Sequence, residues 1–162
     1  MSLDANEIIV NLWQGSRPPT GSALRDLGFK VLVLCAQEWQ PAAHQFQGVR
    51  VIYAPNDDDP TRMPTREELL IAVRAARDVA QAVRDGQKVL VTCWQGWNRS
   101  GLVSALALYL LTGSSGVECR LQVQLRRDHA LVNRGFQRAL DSLSPIAVER
   151  PSFFRLSPVT AA

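Results

Sequence analysis

The chain has 162 residues, of which 46% are hydrophobic, and its 18 basic and 15 acidic residues give a net charge of +3. That length provides one well-filled core and is too short for two ordinary domains. The charges of both signs are interspersed, which is not a nucleic-acid-binding composition but suits an anionic substrate. Three cysteines without a C-x-x-C pair, together with only two histidines, argue against a disulfide framework and against a metal site, and they favour the reducing cytoplasm.

No segment of the sequence predicts export or membrane insertion. The N-terminus lacks the basic stretch and long apolar run of a signal peptide. The longest apolar stretch, Leu102 to Leu111, is too short to span a membrane and is interrupted by Ser104. We therefore expect a soluble cytoplasmic protein with no membrane partner.

The N-terminal part of the chain alternates short apolar runs with turn residues. Ile8 to Trp13 predicts a first strand. Thr20 or Ser22 can then cap a short helix that has Leu24 and Leu27 on its inner side. This stretch therefore predicts a strand followed by a short helix.

Two further strands and an acidic loop follow. Phe29 to Cys35 is a near-continuous apolar run, typical of a strand buried on both faces, and we interpret Cys35 as a core residue. Val49 to Ala54 predicts the next strand. Between Pro55 and Pro60 the backbone cannot join a helix, so this segment is expected to be an exposed loop. Its three consecutive carboxylates are Asp57, Asp58 and Asp59. Considered alone, such a loop is most simply a solvated turn.

A long helix and a buried strand come next. Thr65 to Glu68 has the pattern of a capping box, which predicts a helix start. Apolar residues then recur at steps of four and three until Gly86 ends the helix. The residues of this apolar face are Leu69, Val73, Ala76, Ala80 and Val83. Lys88 to Thr92 predicts a strand.

The segment from Lys88 to Gly101, KVLVTCWQGWNRSG, has the order strand, short loop and helix N-terminus. Backbone N–H groups of such a loop point at one spot, and the helix dipole adds partial positive charge there, so an anion should bind. The same field favours the thiolate of Cys93, which is a strong nucleophile. Arg99 can hold two oxygens of a phosphate with its planar fork. Ser100 can offer its hydroxyl to the sulfur, and Gly96 lets the backbone curl around the ligand.

Helices predominate in the last third of the sequence. Leu102 to Leu111 predicts a buried helix, and a second, amphipathic helix follows after a Gly-Ser break. The apolar positions of this second helix are Val117, Leu121 and Leu125. We expect residues 1–145 to form the domain and residues 146–162 to form a partly ordered C-terminal tail, in which Phe153 and Phe154 can pack back on the domain.

This alternation of strands and helices predicts the fold class. With the Cys-containing loop at the C-terminal end of a central strand, the pattern indicates a single α/β domain. Its central sheet should be mostly parallel and flanked by helices on both faces.

The segment from Cys93 to Ser100 resembles the C-x2-G-x2-R-(S/T) signature of the cysteine-dependent protein tyrosine phosphatases, most closely the dual-specificity group. The stretches IIVNLWQGSRPP and RRDHALVNRGFQRAL resemble the opening strand and the closing helices of the same fold. The resemblance therefore runs from about Ile8 to Leu143. It departs from the family at Thr92, where the family usually has a histidine.

The resemblance implies a set of catalytic and binding residues. Cys93 would form the phosphocysteine, Arg99 would bind the phosphoryl oxygens, and the hydroxyl of Ser100 would help the thiolate to leave. The phosphate-binding positions would be Trp94, Gln95, Gly96, Trp97, Asn98 and Arg99. The family needs neither a cofactor nor a metal.

The family also uses an aspartic acid from a separate loop as general acid. Aligning Pro55 with the family's frequent proline, three residues before its acid, selects Asp58, and Asp57 is the alternative. Such an acid protonates the leaving oxygen, and its carboxylate then activates water against the phosphocysteine. The three neighbouring carboxylates cannot be told apart by composition.

The expected substrate is a phosphorylated protein or another phosphomonoester. None of the outward-facing positions of the Cys-containing loop is basic, whereas phosphoinositide phosphatases of the superfamily often carry lysine there. These positions are Trp94, Gln95, Trp97 and Asn98. We predict hydrolysis of phosphotyrosine, and of phosphoserine or phosphothreonine, in proteins. Two alternatives remain open. The segment Gly96 to Gly101 also resembles the RNA 5′-triphosphatase branch, and Thr92 motivates a catalytically weak phosphate-binding module.

Overall fold

A computed structural model describes residues 2–149, and within them five strands form one sheet with five α-helices around it. The strands are β1 (Ala5–Ile9), β2 (Leu12–Gly15), β3 (Phe29–Leu34), β4 (Arg50–Tyr53) and β5 (Lys88–Thr92). The helices are α1 (Ala23–Asp26), α2 (Arg66–Arg84), α3 (Arg99–Thr112), α4 (Gly116–Arg126) and α5 (Arg134–Asp141). The strand order is β1-β2-β5-β3-β4, and only the β1–β2 pair is antiparallel among these neighbours. This confirms the predicted single α/β domain with a mostly parallel sheet.

Strand β5 lies at the centre of the sheet because its residues are apolar on both sides. Val89, Leu90 and Val91 are fully buried, and β5 pairs in parallel with both β2 and β3. Helices α2 to α5 cover the face that carries Val89 and Val91. The face that carries Leu90 is covered by α1 and by the segment around Phe46. Helices therefore flank both faces, with four of the five described helices on one of them.

The single strand predicted from Ile8 to Trp13 is wrong, because these residues form a hairpin. β1 and β2 pair in antiparallel register, with Ile9 opposite Leu12. The chain reverses at Asn11, whose φ of 68° lies in the left-handed region that asparagine tolerates better than most residues. Apolar residues occur on both sides of this turn, so the sequence pattern reads as one continuous strand.

The capping box predicted at the start of α2 is confirmed. The Thr65 hydroxyl accepts a hydrogen bond from the Glu68 N–H at 3.2 Å, and the Glu68 carboxylate accepts one from the Thr65 N–H at 2.6 Å. Arg62 also binds this carboxylate, at 2.8 Å, and its hydrogen bonds lower the pKa of Glu68 to about 2. These contacts fix the start of α2 directly beside the acidic loop.

Two details of the helices differ from the prediction. Leu27, expected on the inner side of α1, is exposed, whereas Leu24 is buried. In α4 the predicted apolar face points outward, and Leu125 is 60% exposed. The buried side of α4 is instead made by Gly116, Cys119, Gln122 and Val123. The reason is a polar contact that periodicity cannot reveal, since Gln122 donates from its side chain to the Ile8 carbonyl in β1 at 3.0 Å.

The chain beyond α5 remains in contact with the domain as far as it is described. The Ile146 N–H donates to the Gly113 carbonyl at 2.9 Å, and the Tyr109 hydroxyl donates to the Ser144 carbonyl at 2.8 Å. The predicted packing of Phe153 and Phe154 lies outside the described residues. Within residues 2–149, no helix combines the length and the apolar character needed to cross a membrane.

Candidate active site

The Cys loop, residues 93–99, connects the C-terminal end of β5 to the first turn of α3, as the sequence predicted. The side chain of Cys93 lies at the base of the loop, where the residue is only 3% exposed, and its Sγ is 3.3 Å from the Oγ of buried Ser100. Gly96 has φ of 72°, and a Cβ at this position would overlap the backbone of Gly15. Glycine is therefore required here both by conformation and by space.

The carbonyl groups of residues 94–97 in the Cys loop point toward the surrounding structure. Arg127 donates from Nε to the Gly96 carbonyl at 2.6 Å and from Nη2 to the Gln95 carbonyl at 3.0 Å. The Trp94 carbonyl accepts from the Arg17 N–H, and the Trp97 carbonyl accepts from the Leu131 N–H. In a trans peptide the N–H points opposite to the carbonyl. The N–H groups of residues 95–98 therefore point away from these partners, into the concave side of the loop.

Two residues that support the Cys loop were not identified from the sequence as site residues. Arg127 is only 5% exposed and also binds the side chains of Asp4 and Asn6. Gln14 in β2 is fully buried and donates to the Gly96 carbonyl at 3.0 Å. The sequence contained no signal for either contact, because the partners are separated by 31 and 82 residues.

Replacing Arg127 with methionine tests whether this guanidinium holds the loop. We expect the free energy of unfolding to fall by about 2–3 kcal/mol, because buried carbonyls of the Cys loop lose their donors. Urea denaturation measures the change, and Arg138→Met, at an exposed position of α5, is the matched control. Equal losses in the two variants would contradict a special role for Arg127.

Arg99 begins α3 and is oriented by an acidic residue from the segment after β3. Its Nη1 donates to Glu38 Oε1 at 3.0 Å, and its side chain is only 12% exposed. The Nε of Arg99 is buried and has no hydrogen-bond partner within the described residues. The edge of the guanidinium formed by Nε and Nη2 is the one that binds two oxygens of an oxyanion side by side. Glu38 therefore leaves the phosphate-binding edge of Arg99 available.

Asp58 is the acidic-loop carboxylate that contacts the Cys loop. Its Oδ2 accepts from the Asn98 side chain at 3.1 Å, and its Oδ1 accepts from the Asn133 side chain at 2.8 Å. Asn98 in turn accepts from the Asn133 N–H at 3.0 Å, so the two asparagines and Asp58 form one network. Asn133, the N-cap of α5, was not identified from the sequence as a site residue.

The other two acids of this loop are bound elsewhere. Asp57 pairs with Arg62 at 3.1 Å. Asp59 accepts hydrogen bonds from the backbone and hydroxyl of Thr61, which lower the pKa of its carboxyl. Arg62 also binds Glu68, so the Asp57 contact ties the loop to the start of α2, whereas the Asp59 contacts with Thr61 lie within the loop itself. Geometry thus separates three carboxylates that composition could not distinguish.

Thr92, at the position where the resembled family usually has histidine, is fully buried in a hydrogen-bond network. Its hydroxyl donates to the Val33 carbonyl at 2.8 Å and accepts from the Gln40 side chain at 2.9 Å. Gln40 also accepts from the Ala36 N–H. Thr92 therefore ties the base of the Cys loop to β3 and to the segment that carries Glu38.

Comparison with solved structures places this geometry in a known group. A mouse protein assigned as a dual-specificity phosphatase, solved with zinc tungstate, is 26% identical, with 86% of each chain covered and a TM-score of 0.73. Human DUSP28 is also 26% identical, with 86% of this chain and 92% of the other covered and a TM-score of 0.72. These neighbours support a dual-specificity-phosphatase-like protein of the cysteine-dependent protein tyrosine phosphatase superfamily.

More distant structures and the sequence comparisons give less information about function. PTPMT1 in complex with PI(5)P is 18% identical, with 85% of this chain and 92% of the other covered and a TM-score of 0.71, which shows the dual-specificity-phosphatase-like fold alone. No protein-family model and no curated protein sequence matches the chain. The solved structures nevertheless support phosphatase activity and a phosphorylated substrate for this dual-specificity-phosphatase-like protein.

Proposed function

We propose that this protein hydrolyses phosphomonoesters, with phosphotyrosine in proteins as the main substrate and phosphoserine or phosphothreonine as further ones, through a phosphocysteine intermediate. The observation that carries the proposal is the convergence of three groups on one loop. The Cys93 sulfur lies at the loop's base, the Nε of Arg99 has no partner among residues 2–149, and Asp58 is held by the side chain of Asn98. Among the functions open to this fold, double displacement at phosphorus uses all three.

In the first step, the Cys93 thiolate attacks phosphorus and the bond from phosphorus to the ester oxygen breaks. Asp58 donates its proton to the departing oxygen, so that an alcohol or phenol leaves. The loop amides and the Nε/Nη2 edge of Arg99 bind the equatorial oxygens, whose charge is largest in the transition state. Glu38 holds Nη1 and keeps the guanidinium in this orientation.

In the second step, water attacks the phosphocysteine. The Asp58 carboxylate takes a proton from the water, and the bond from sulfur to phosphorus breaks to release inorganic phosphate. The Ser100 hydroxyl, 3.3 Å from the sulfur, donates a hydrogen bond to the departing thiolate and stabilises it. The reaction consumes water and regenerates the protein without a cofactor.

The test compares three substrates: a small aryl phosphate, a phosphotyrosine peptide and an RNA with a 5′-triphosphate end. We expect turnover of the first two. When the reaction is quenched with acid, mass spectrometry should detect phosphate bound covalently to the protein. Arg99→Lys should lower kcat/KM by roughly 10²–10³-fold, because lysine cannot reproduce the two-point contact.

Two outcomes would overturn the proposal. Turnover confined to the RNA would establish the triphosphatase alternative. Binding of inorganic phosphate or vanadate without turnover of any of the three substrates would establish the phosphate-binding module. Arg66→Lys, at an exposed position of α2, is the control for the lysine substitution and should leave turnover unchanged.

A further inference from the structure

Two tryptophans and an arginine form an exposed aromatic rim beside the Cys loop. Trp39 is 59% exposed and Trp94 is 46% exposed, and their ring centroids are 6.1 Å apart with an angle of 58° between the planes. The Arg17 guanidinium lies 5.9 Å from the Trp94 ring. Large aromatic side chains this exposed and this close together are unusual away from binding surfaces.

The aromatic rim (Arg17, Trp39 and Trp94) is tied to the phosphate-binding loop at two points. Trp94 directly follows Cys93, and its carbonyl accepts from the Arg17 N–H at 3.3 Å. Trp39 directly follows Glu38, whose carboxylate binds Arg99 at 3.0 Å. The peptide that flanks a phosphorylated residue in the Cys loop would therefore meet the aromatic rim.

A groove continues from the rim on the side of Arg17. It has a volume of about 560 Å³, and its walls include Leu3, Pro18, Pro19 and Pro41 as well as Arg17. Its charged lining residues are Arg17 and Asp4, and Asp4 is already paired with Arg127, so Arg17 is the one cation among its described lining residues without a carboxylate of the groove as its partner. A nucleic acid strand would need several cations along its backbone, which this groove does not offer. The apolar walls fit a peptide instead.

We propose that the aromatic rim and this groove bind the peptide segment next to the phosphorylated residue and select an aromatic or large apolar side chain beside it. The inference rests on the proposed phosphatase activity and names the class of substrate. The ring or alkyl group packs against the exposed surfaces of Trp39 and Trp94, which contact one another, and the following residues lie along the proline-lined walls. The Arg17 guanidinium closes one side of this subsite by its contact with the Trp94 ring.

The experiment compares two phosphotyrosine peptides that differ only in the residue next to phosphotyrosine, which is tryptophan in one and glycine in the other. We expect the wild-type protein to favour the tryptophan peptide by about tenfold in kcat/KM. Trp39→Ala should abolish this preference by lowering kcat/KM for the tryptophan peptide alone. A small aryl phosphate, which has no flanking peptide, should be hydrolysed at the wild-type rate.

The control variant is Leu125→Ala, which removes an exposed apolar side chain from α4 outside the aromatic rim. It should retain the peptide preference. If Trp39→Ala and the wild type showed the same ratio of kcat/KM between the tryptophan and glycine peptides, and aryl phosphate were still hydrolysed, the subsite would be overturned and the phosphatase proposal would stand. Absence of aryl phosphate turnover in the wild type would instead refute the proposed function. If Trp39→Ala lost activity only toward RNA 5′-triphosphate, the aromatic rim would be assigned to binding nucleobases, and the proposed peptide subsite would be overturned.

Discussion

Changing Cys93 to serine is expected to reduce hydrolysis of an aryl phosphate by on the order of 10⁵-fold, because the serine hydroxyl stays protonated where a thiolate attacks. The variant should keep the fold, since Ser and Cys are close in size and the Sγ of Cys93 already faces the Ser100 hydroxyl. Binding of vanadate or inorganic phosphate should persist, because the loop amides and Arg99 are unchanged. Steady-state kinetics and calorimetric binding of the anion measure the two effects separately.

The other two cysteines provide matched controls. Burial raises the pKa of the Cys35 thiol and raises that of Cys119 to about 12, so both stay protonated and unreactive at neutral pH. Cys35→Ala and Cys119→Ala should therefore retain turnover, with losses confined to thermal stability. If Cys93→Ser retained activity within tenfold of the wild type, the phosphocysteine pathway would be excluded.

Changing Asp58 to asparagine is expected to lower kcat by roughly 10²–10³-fold for a phosphotyrosine peptide, because the leaving phenolate loses its proton donor. The loss should be smaller for an aryl phosphate with a strongly acidic phenol, which departs without protonation. Steady-state kinetics with the two substrates measures this difference between leaving groups.

Asp57→Asn and Asp59→Asn are the controls for this prediction, since their carboxylates bind Arg62 and Thr61 rather than the Cys loop. Both variants should keep near wild-type rates on both substrates. A loss confined to the phosphotyrosine peptide in Asp57→Asn, with Asp58→Asn unaffected, would transfer the role of general acid to Asp57.

Local patterns were enough to predict most of the secondary structure around the site. The strand Lys88–Thr92 and the helix after the Cys loop follow from apolar runs in the sequence. The tight loop between them is marked by Gly96, because its backbone conformation favours glycine. The start of α2 follows from four consecutive residues that form a capping box. These elements depend on contacts within a few residues, which a linear sequence displays directly.

Elements that depend on a turn the sequence does not mark, or on distant partners, were predicted less well. The β1–β2 hairpin is missed because its turn interrupts neither apolar run, and the buried side of α4 is misassigned because Gln122 binds a carbonyl 114 residues away. Separation along the chain also explains why Arg127 and Asn133 were not recognised as neighbours of the site. Their partners lie 31 and 75 residues away along the chain.

The sequence by itself determined that one loop combines a cysteine, an arginine fork and a helix N-terminus, because those residues are adjacent in the chain. It also narrowed the candidate acids to three neighbouring carboxylates, among which the family resemblance selected Asp58, with Asp57 as the alternative. Only the tertiary structure decided which of them meets the Cys loop: Asn98 and Asn133 bind Asp58, whereas Arg62 and Thr61 bind the other two. Which carboxylate contacts the Cys loop depends on hydrogen bonds between segments that only folding brings together. Three consecutive aspartates in the sequence therefore have three different environments in the structure.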